Sequence, residues 1–470
     1  MPRHGRGQIA VELLFLSAIV ITLTTGFILL ASSFLQLSIR NQNKLQAFSI
    51  AEAGIEYYRW HLAHSPQDFT DGTGQPGPYV HNYYDKNGNL IGTFSLTITA
   101  PPSGSTIVGI TSSGNVAADA SVQKIIQVKM GIPSFAKYAW ILNDNVFFGS
   151  TAQVYGPIYS NAGVHFDGVA HNLVQSAETT YLDPDVGKTE WAVYTDGPPA
   201  DPQPPTALSS STSNIFLAGR QTGVPAIDFT GITQNLASIK SAARASGTYF
   251  ASSTVLGYDL ALGTTTYSVY KVSALVSAPH NCTNALNQSG WGTWSIRTES
   301  LYATGTIPQN GNLFFEDNVW VRGQINSKRV TIASGRFPAN ASTSSNIIVN
   351  NSVQYTNFNG SDTIALIAQG NIDVGLQSDT NLVIDAALIA QNGWIGRYYY
   401  SSSCGSSWQN NSLTTFGVMG TNVRSAFAYG DGSGFLTRTY NYDSNLLYAP
   451  PPSFPLTSDQ YSLISWTEIQ

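Results

Sequence analysis

The chain has 470 residues, 42% of them hydrophobic and only 11% charged, with a net charge of −6. That length allows two or three domains. With no Lys/Arg cluster beyond the first seven residues it lacks the electrostatic footprint of a nucleic-acid binder. Sparse charge among abundant Gly, Ser, Thr and Asn points to a large β-rich extracellular body rather than a cytosolic enzyme.

Residues 1–7 are short, polar and basic, with Arg3, His4 and Arg6. Residues 13–39 then carry no charge and are rich in Leu, Ile, Ala, Phe and Val. As a helix they would span roughly 40 Å, more than the ~30 Å of a bilayer core. The run also exceeds the roughly 7–15 apolar residues of a cleaved secretory signal. Glu12 stands alone at its front, where a carboxylate is costly to bury without a partner. A cut after Gly7 would make Gln8 the amino terminus and Glu12 the fifth residue. Glu12 would then meet the new amino group of a neighbouring chain as helices pack in parallel. Leu45, Phe48, Ile55, Tyr58 and Leu62 continue at helical spacing until Pro66, so one helix is expected over 8–64.

This arrangement resembles the class III signal of type IV prepilins: a basic leader (1–7), Gly7, a hydrophobic helix, and Glu12 at the fifth mature position. Gln8 stands where that family usually has Phe. The stretch AEAGIEYYRWHLA (51–63) resembles the amphipathic segment of PilX-type minor pilins. The resemblance implies a prepilin peptidase cutting between Gly7 and Gln8, and Glu12 as the assembly residue. It further implies other pilins as partners through the helix. The chain would be inserted in the inner membrane before assembly, N-terminus cytoplasmic and C-terminus extracytoplasmic, and then reside in a pilus or at the cell surface.

Residues 65–131 read as a small β meander. In 92–100, Phe94, Leu96 and Ile98 alternate with Thr and Ser, the pattern of a half-buried strand. The turn at 85–89 looks faintly like a calcium loop but lacks the distant Glu, so a tight turn around Gly88 is the better account. From 132 to 448 the chain is repetitive. Leu366-Ile-Ala-Gln is echoed at Leu388-Ile-Ala-Gln, an offset of 22 residues, with related units near Val154 and Val319. Short β-branched strands between Gly and Asn turns predict a parallel β-helix-like solenoid of about a dozen rungs. A Pro/Ser-rich loop at 195–214 interrupts it, and a helix over 228–245 is expected to pack on the solenoid as a cap. The tail, 449–470, is expected to strap the last rungs with Trp466 as an apolar anchor. The fold class is thus α+β, mainly β. The stretches NDNVFFG (143–149), PAIDF (225–229), ALIAQNG (387–393) and the PPP…ISW ending (450–466) resemble the β-helical region that follows a PilX-type N-terminus in some pilus-assembly proteins.

Chemistry is sparse. Cys282 and Cys404 are a candidate disulfide or two buried thiols. No CxxC or HExxH metal signature occurs, and no cofactor is expected. Asp373, Asp379, Asp385 and Arg397 fall in adjacent predicted rungs and would be the residues to test for polysaccharide cleavage. Corner Asp residues more often cap turns. Tyr398, Tyr399 and Tyr400 would either contact sugars or cover the edge of the core. The expected function is a structural or adhesive minor pilin of a type IV pilus or related pseudopilus, near the tip and without turnover. Its outer partners would be surface glycans or cell-surface proteins, and nucleic acid is not among them. The alternative is a membrane-anchored β-helix that binds or cleaves polysaccharide.

Overall fold

A computed structural model describes residues 6–102, 104–208, 212–229, 235–338, 343–457 and 460–469. The chain divides into two compact units, one of residues 1–101, 107–131 and 459–470, the other of 102–106 and 132–458.

The first unit is built on α1 (Arg6–His64), a single helix of 59 residues. Its large apolar side chains from Ile9 to Ile39 are exposed. Beyond them a stripe at three- and four-residue spacing, Ala47, Ile50, Ala51, Ile55, Tyr58 and Leu62, is buried. The stripe packs on an antiparallel sheet of β1 (Tyr79–Tyr84), β2 (Leu90–Thr99), β3 (Val108–Val116) and β4 (Asp119–Gly131), which meander in that order. Phe94, Leu96, Val108, Ile110, Ile126 and Val128 supply the sheet's inner face. Glycines set the closeness of the contact. A Cβ on Gly54 would lie 2.3 Å from Ser112 Oγ, and one on Gly114 only 2.1 Å from the Ala47 carbonyl oxygen.

The expected strap is corrected for its last residues only: Arg329 donates to the Ala449 and Pro450 carbonyls at 2.7 and 2.6 Å, and Phe454 is buried in the solenoid's second cluster. The C-terminal strand (Ser462–Ile469) pairs antiparallel with β4, adding a fifth strand to this sheet rather than covering the solenoid. The tail needed an edge for its backbone groups, and β4 offers one. Trp466 is 43% exposed and meets Phe48 of α1 edge-on, ring centroids 5.9 Å apart.

The second unit is a parallel solenoid of three strand columns. One column runs through 248–250, 312–315, 329–334, 363–368, 387–390, 418–421, 140–142, 158–160, 174–176 and 220–221, which among the described residues is ten strands rather than a dozen. Its inward side chains stack in register as Leu313, Ile332, Leu366, Leu388, Met419, Trp140, Ile158 and Val174. The alternate residues, among them Phe314, Ala333, Ile367, Ile389 and Ile141, are buried too, in a second cluster with Leu236 and Ile239. A column covered on both faces explains the unbroken apolar runs such as Leu-Ile-Ala.

The stacking order is not the chain order. The first solenoid strand (Trp140–Leu142) lies against 419–421, from near the other end of the domain. The chain therefore enters mid-stack and runs outward to 221. It then returns along the flank and climbs from 248 back to its point of entry. The return carries the predicted helix, observed as α2 (Asn235–Ser246), with residues 230–234 outside the described set. It is a bridge and not a cap: Ile227 N donates to Tyr159 Oη at 3.1 Å, and Asn310 Nδ2 donates to the Ala242 carbonyl at 3.0 Å. The outer edge of the strand Gly257–Leu262 is covered instead by antiparallel strands, Thr266–Leu275 and Ile296–Thr306. These satisfy the backbone groups that a bare end rung would leave open.

Candidate functional site

The apolar half of α1 is the first candidate. Its most apolar 18-residue window has mean hydropathy 2.5 and no buried share, so it is long and apolar enough to cross a membrane. Two of its hydroxyls are satisfied within the helix: Thr22 Oγ1 donates to the Ala18 carbonyl at 2.8 Å and Thr25 Oγ1 to that of Ile21 at 2.7 Å. Such back-bonding keeps these two hydroxyls from facing hydrocarbon bare. Gly7 and Gln8 lie in the first turns of the helix. Glu12 lies one turn further on and is exposed, with no ion pair among the described residues. The geometry thus offers a carboxylate on an otherwise apolar, uncovered helix surface. Gly26, midway along the bare run, is equally open: a Cβ added there would meet nothing within 4 Å.

The solenoid residues named for chemistry do not converge. Asp379 accepts from Ser352 N at 2.8 Å and from Ser352 Oγ at 3.0 Å, capping a corner. Asp385 accepts from Tyr355 N at 3.1 Å, and burial pushes its carboxyl up to about 6. Asp373 is fully buried, accepts from Trp394 Nε1 at 2.9 Å, and is pushed by burial up to about 8. Arg397, also fully buried, donates to the carbonyls of Leu376 and Trp408 at 3.2 and 3.0 Å and to that of Ser407. Burial brings its guanidinium down to about 10. Each of the four serves its own corner or loop.

Cys282 and Cys404 form a disulfide. It fastens the loop before Trp291 to the short helical turns at 402–408, over a small cluster with Leu376, Tyr398 and Tyr400. Within the tyrosine run, Tyr398 and Tyr400 are buried and seal the core edge. The Tyr399 hydroxyl donates outward to Asp431 at 2.7 Å. A groove of about 770 Å³ runs beside them, lined by Gln288, Asn346, Asn371, Trp394 and Arg424. Its amides are largely committed: Asn371 Nδ2 donates to Tyr398 Oη at 3.2 Å and Asn392 Nδ2 to the Gln369 carbonyl at 3.0 Å. The turn at 85–89 is closed by its own bonds, with Asp85 Oδ1 accepting from Asn87 N and Asn89 N at 2.8 Å each.

No protein-family profile and no curated protein matches the chain. Among solved structures it is similar to the crystal structure of the competence-associated pilin ComZ from Thermus thermophilus. That match is 13% identical, with a TM-score of 0.32 over 91% of this chain and 97% of the other. At that score the likeness establishes no shared fold, and the reading below rests on this chain's own residues.

Proposed function

We propose that the protein is a pilin-like subunit: a prepilin processed between Gly7 and Gln8 that joins a type IV pilus or pseudopilus through α1. One observation carries the reading. A single carboxylate, Glu12, stands five residues past Gly7 at the head of an uncharged helical run that is bare, while the later part of the same helix buries one face in its own sheet. Division into a bare half and a half docked by one face is what a subunit needs if it is to leave a bilayer and pack helix to helix with others. Glu12 would neutralise the new amino group of a neighbour at low dielectric. A solenoid of this size on every subunit would crowd a filament shaft, so we place the protein as a rare, minor component near the tip. There its function is structural or adhesive, without turnover, with surface glycans or cell-surface proteins as outer partners.

The test is mass spectrometry of the mature N-terminus together with Glu12→Val. The mature chain should begin at Gln8. Glu12→Val should insert in the membrane yet enter filaments poorly. Retention of residues 1–7 in a host with active prepilin peptidase, or unchanged filament incorporation of the variant, would sink the reading. The groove beside Trp394 supports a second reading, an anchored polysaccharide-binding β-helix, which should tolerate Glu12→Val in all assays.

A further inference from the structure

The C-terminal strand leaves an apolar strip bare beside α1. Leu463 and Trp466 pair with Met130 and Val128, whose side chains are buried against the helix. Leu463 and Trp466 therefore stand on the helix side of the sheet. The helix does not cover them. Trp466 meets it only at Phe48, and Leu463 is 60% exposed. One turn before Phe48, on the same flank of α1, Leu45 is 72% exposed. Among the described residues the strand has no neighbour on its outer side.

This strip lines up with Glu12. At 3.6 residues per turn Glu12 and Phe48 are about ten full turns apart, so they project from the same side of α1 at a separation of about 54 Å. Leu23, Leu30 and Leu37 fall within roughly 20° of the same line, and all three are exposed.

The direction of Glu12 decides where a partner lies. A carboxylate on a bare apolar helix needs a positive group beside it. When that group is the amino terminus of a neighbouring subunit, the neighbour's helix must run along this side of α1. Starting at Glu12 and parallel to α1, it passes Leu23, Leu30 and Leu37. About ten turns on it arrives at Leu45, Phe48 and Trp466. Lipid does not compete for the strip, because Arg40 and Lys44 already mark the end of the apolar run.

We infer, resting on the pilin reading above, that the head takes part in this contact. The neighbour's helix docks between α1 and the C-terminal strand, on Leu45, Phe48, Leu463 and Trp466. The partner that fits is an apolar helix parallel to α1. Trp466 is its anchor, since a large, half-exposed aromatic among apolar neighbours has the character of a binding hot spot.

The test places photoreactive p-benzoylphenylalanine at position 466, and separately at 463, of the full-length chain. Purified filaments are irradiated and the linked peptides are read by mass spectrometry. Links should reach the helix of a neighbouring subunit, roughly 32–40 residues from its mature amino terminus. Trp466→Gln should keep the wild-type melting temperature in detergent, because the side chain is only half covered, yet enter filaments roughly tenfold less. Three results would each overturn the docking strip and leave the pilin reading standing. These are links from both positions to a globular head or an added strand, no link in filaments that contain the substituted chain, and undiminished incorporation of Trp466→Gln. Absence of the wild-type chain from filaments would overturn both.

Discussion

Gly114→Ala is the sharpest test of how α1 sits on its sheet. The added methyl would lie 2.1 Å from the Ala47 carbonyl oxygen, 2.5 Å from Ala51 N and 3.1 Å from Ala51 Cα. Carbon contacts normally settle at about 3.5–4.0 Å. All three atoms are helix backbone, so no side-chain rotation relieves the overlap, and the helix must lift by about an ångström. Lifting loosens Ile50, Ala51, Ile55 and Tyr58 against Leu96, Ile110 and Ile126. Overpacking of this kind costs about 1–3 kcal/mol, and the rigid neighbours argue for the upper part of that range. A more restricted unfolded chain returns roughly 0.4–1 kcal/mol. The net expectation is a loss of about 1–2 kcal/mol, which speeds hydrogen exchange across β2–β4 by a factor of roughly 5–30. Gly26→Ala is the control: it meets nothing within 4 Å and should leave exchange in the sheet unchanged. Wild-type exchange rates in Gly114→Ala would refute the close helix–sheet contact.

Other outcomes follow from buried polar groups and the cross-link. Asp373 has a native pKa of about 8, well above its unfolded value, so the native state binds the extra proton. Its contribution is fully present below about pH 4 and is lost as pH rises towards 8, by up to about 1.4 kcal/mol per unit. Asp373→Asn keeps an oxygen for Trp394 Nε1 and should flatten that slope, gaining stability near pH 8 relative to wild type. Parallel melting-temperature profiles from pH 5 to 8 would count against this. Arg397→Met removes the donor to three carbonyls, one buried and two partly buried, and should destabilise by about 2–4 kcal/mol, read by denaturant titration; a change within about 0.5 kcal/mol would mean the guanidinium is not what holds 402–408. Reducing Cys282–Cys404, which are 122 residues apart, should cost up to roughly 5 kcal/mol by chain entropy. Two free thiols in native protein, or the same unfolding midpoint before and after reduction, would contradict the bridge.

Local pattern alone determined the helix and its end. Apolar spacing from Leu13 to Leu62 and a stop at Pro66 are properties of neighbouring residues, and α1 ends at His64. The 22-residue echo was legible because Leu366 and Leu388 are true register partners on successive rungs. Elsewhere the echo vanishes. Ile332 pairs with Leu366 and Leu388 with Met419, with insertions that lengthen those rungs. The sequence left Cys282 and Cys404 open as a bridge or two thiols, and only their proximity in the fold decides it. Rung order was also illegible. Every parallel edge presents the same backbone donors and acceptors, so nothing local tells Trp140 that its neighbour is Met419. The same holds for the last strand, whose backbone groups fit any free edge and which finds β4. The buried His165 shows the limit most sharply. The carboxylates beside it, at 167, 183 and 196, look scattered along the chain, and only the stacking of rungs and an inserted hairpin (180–191) brings them to one imidazole.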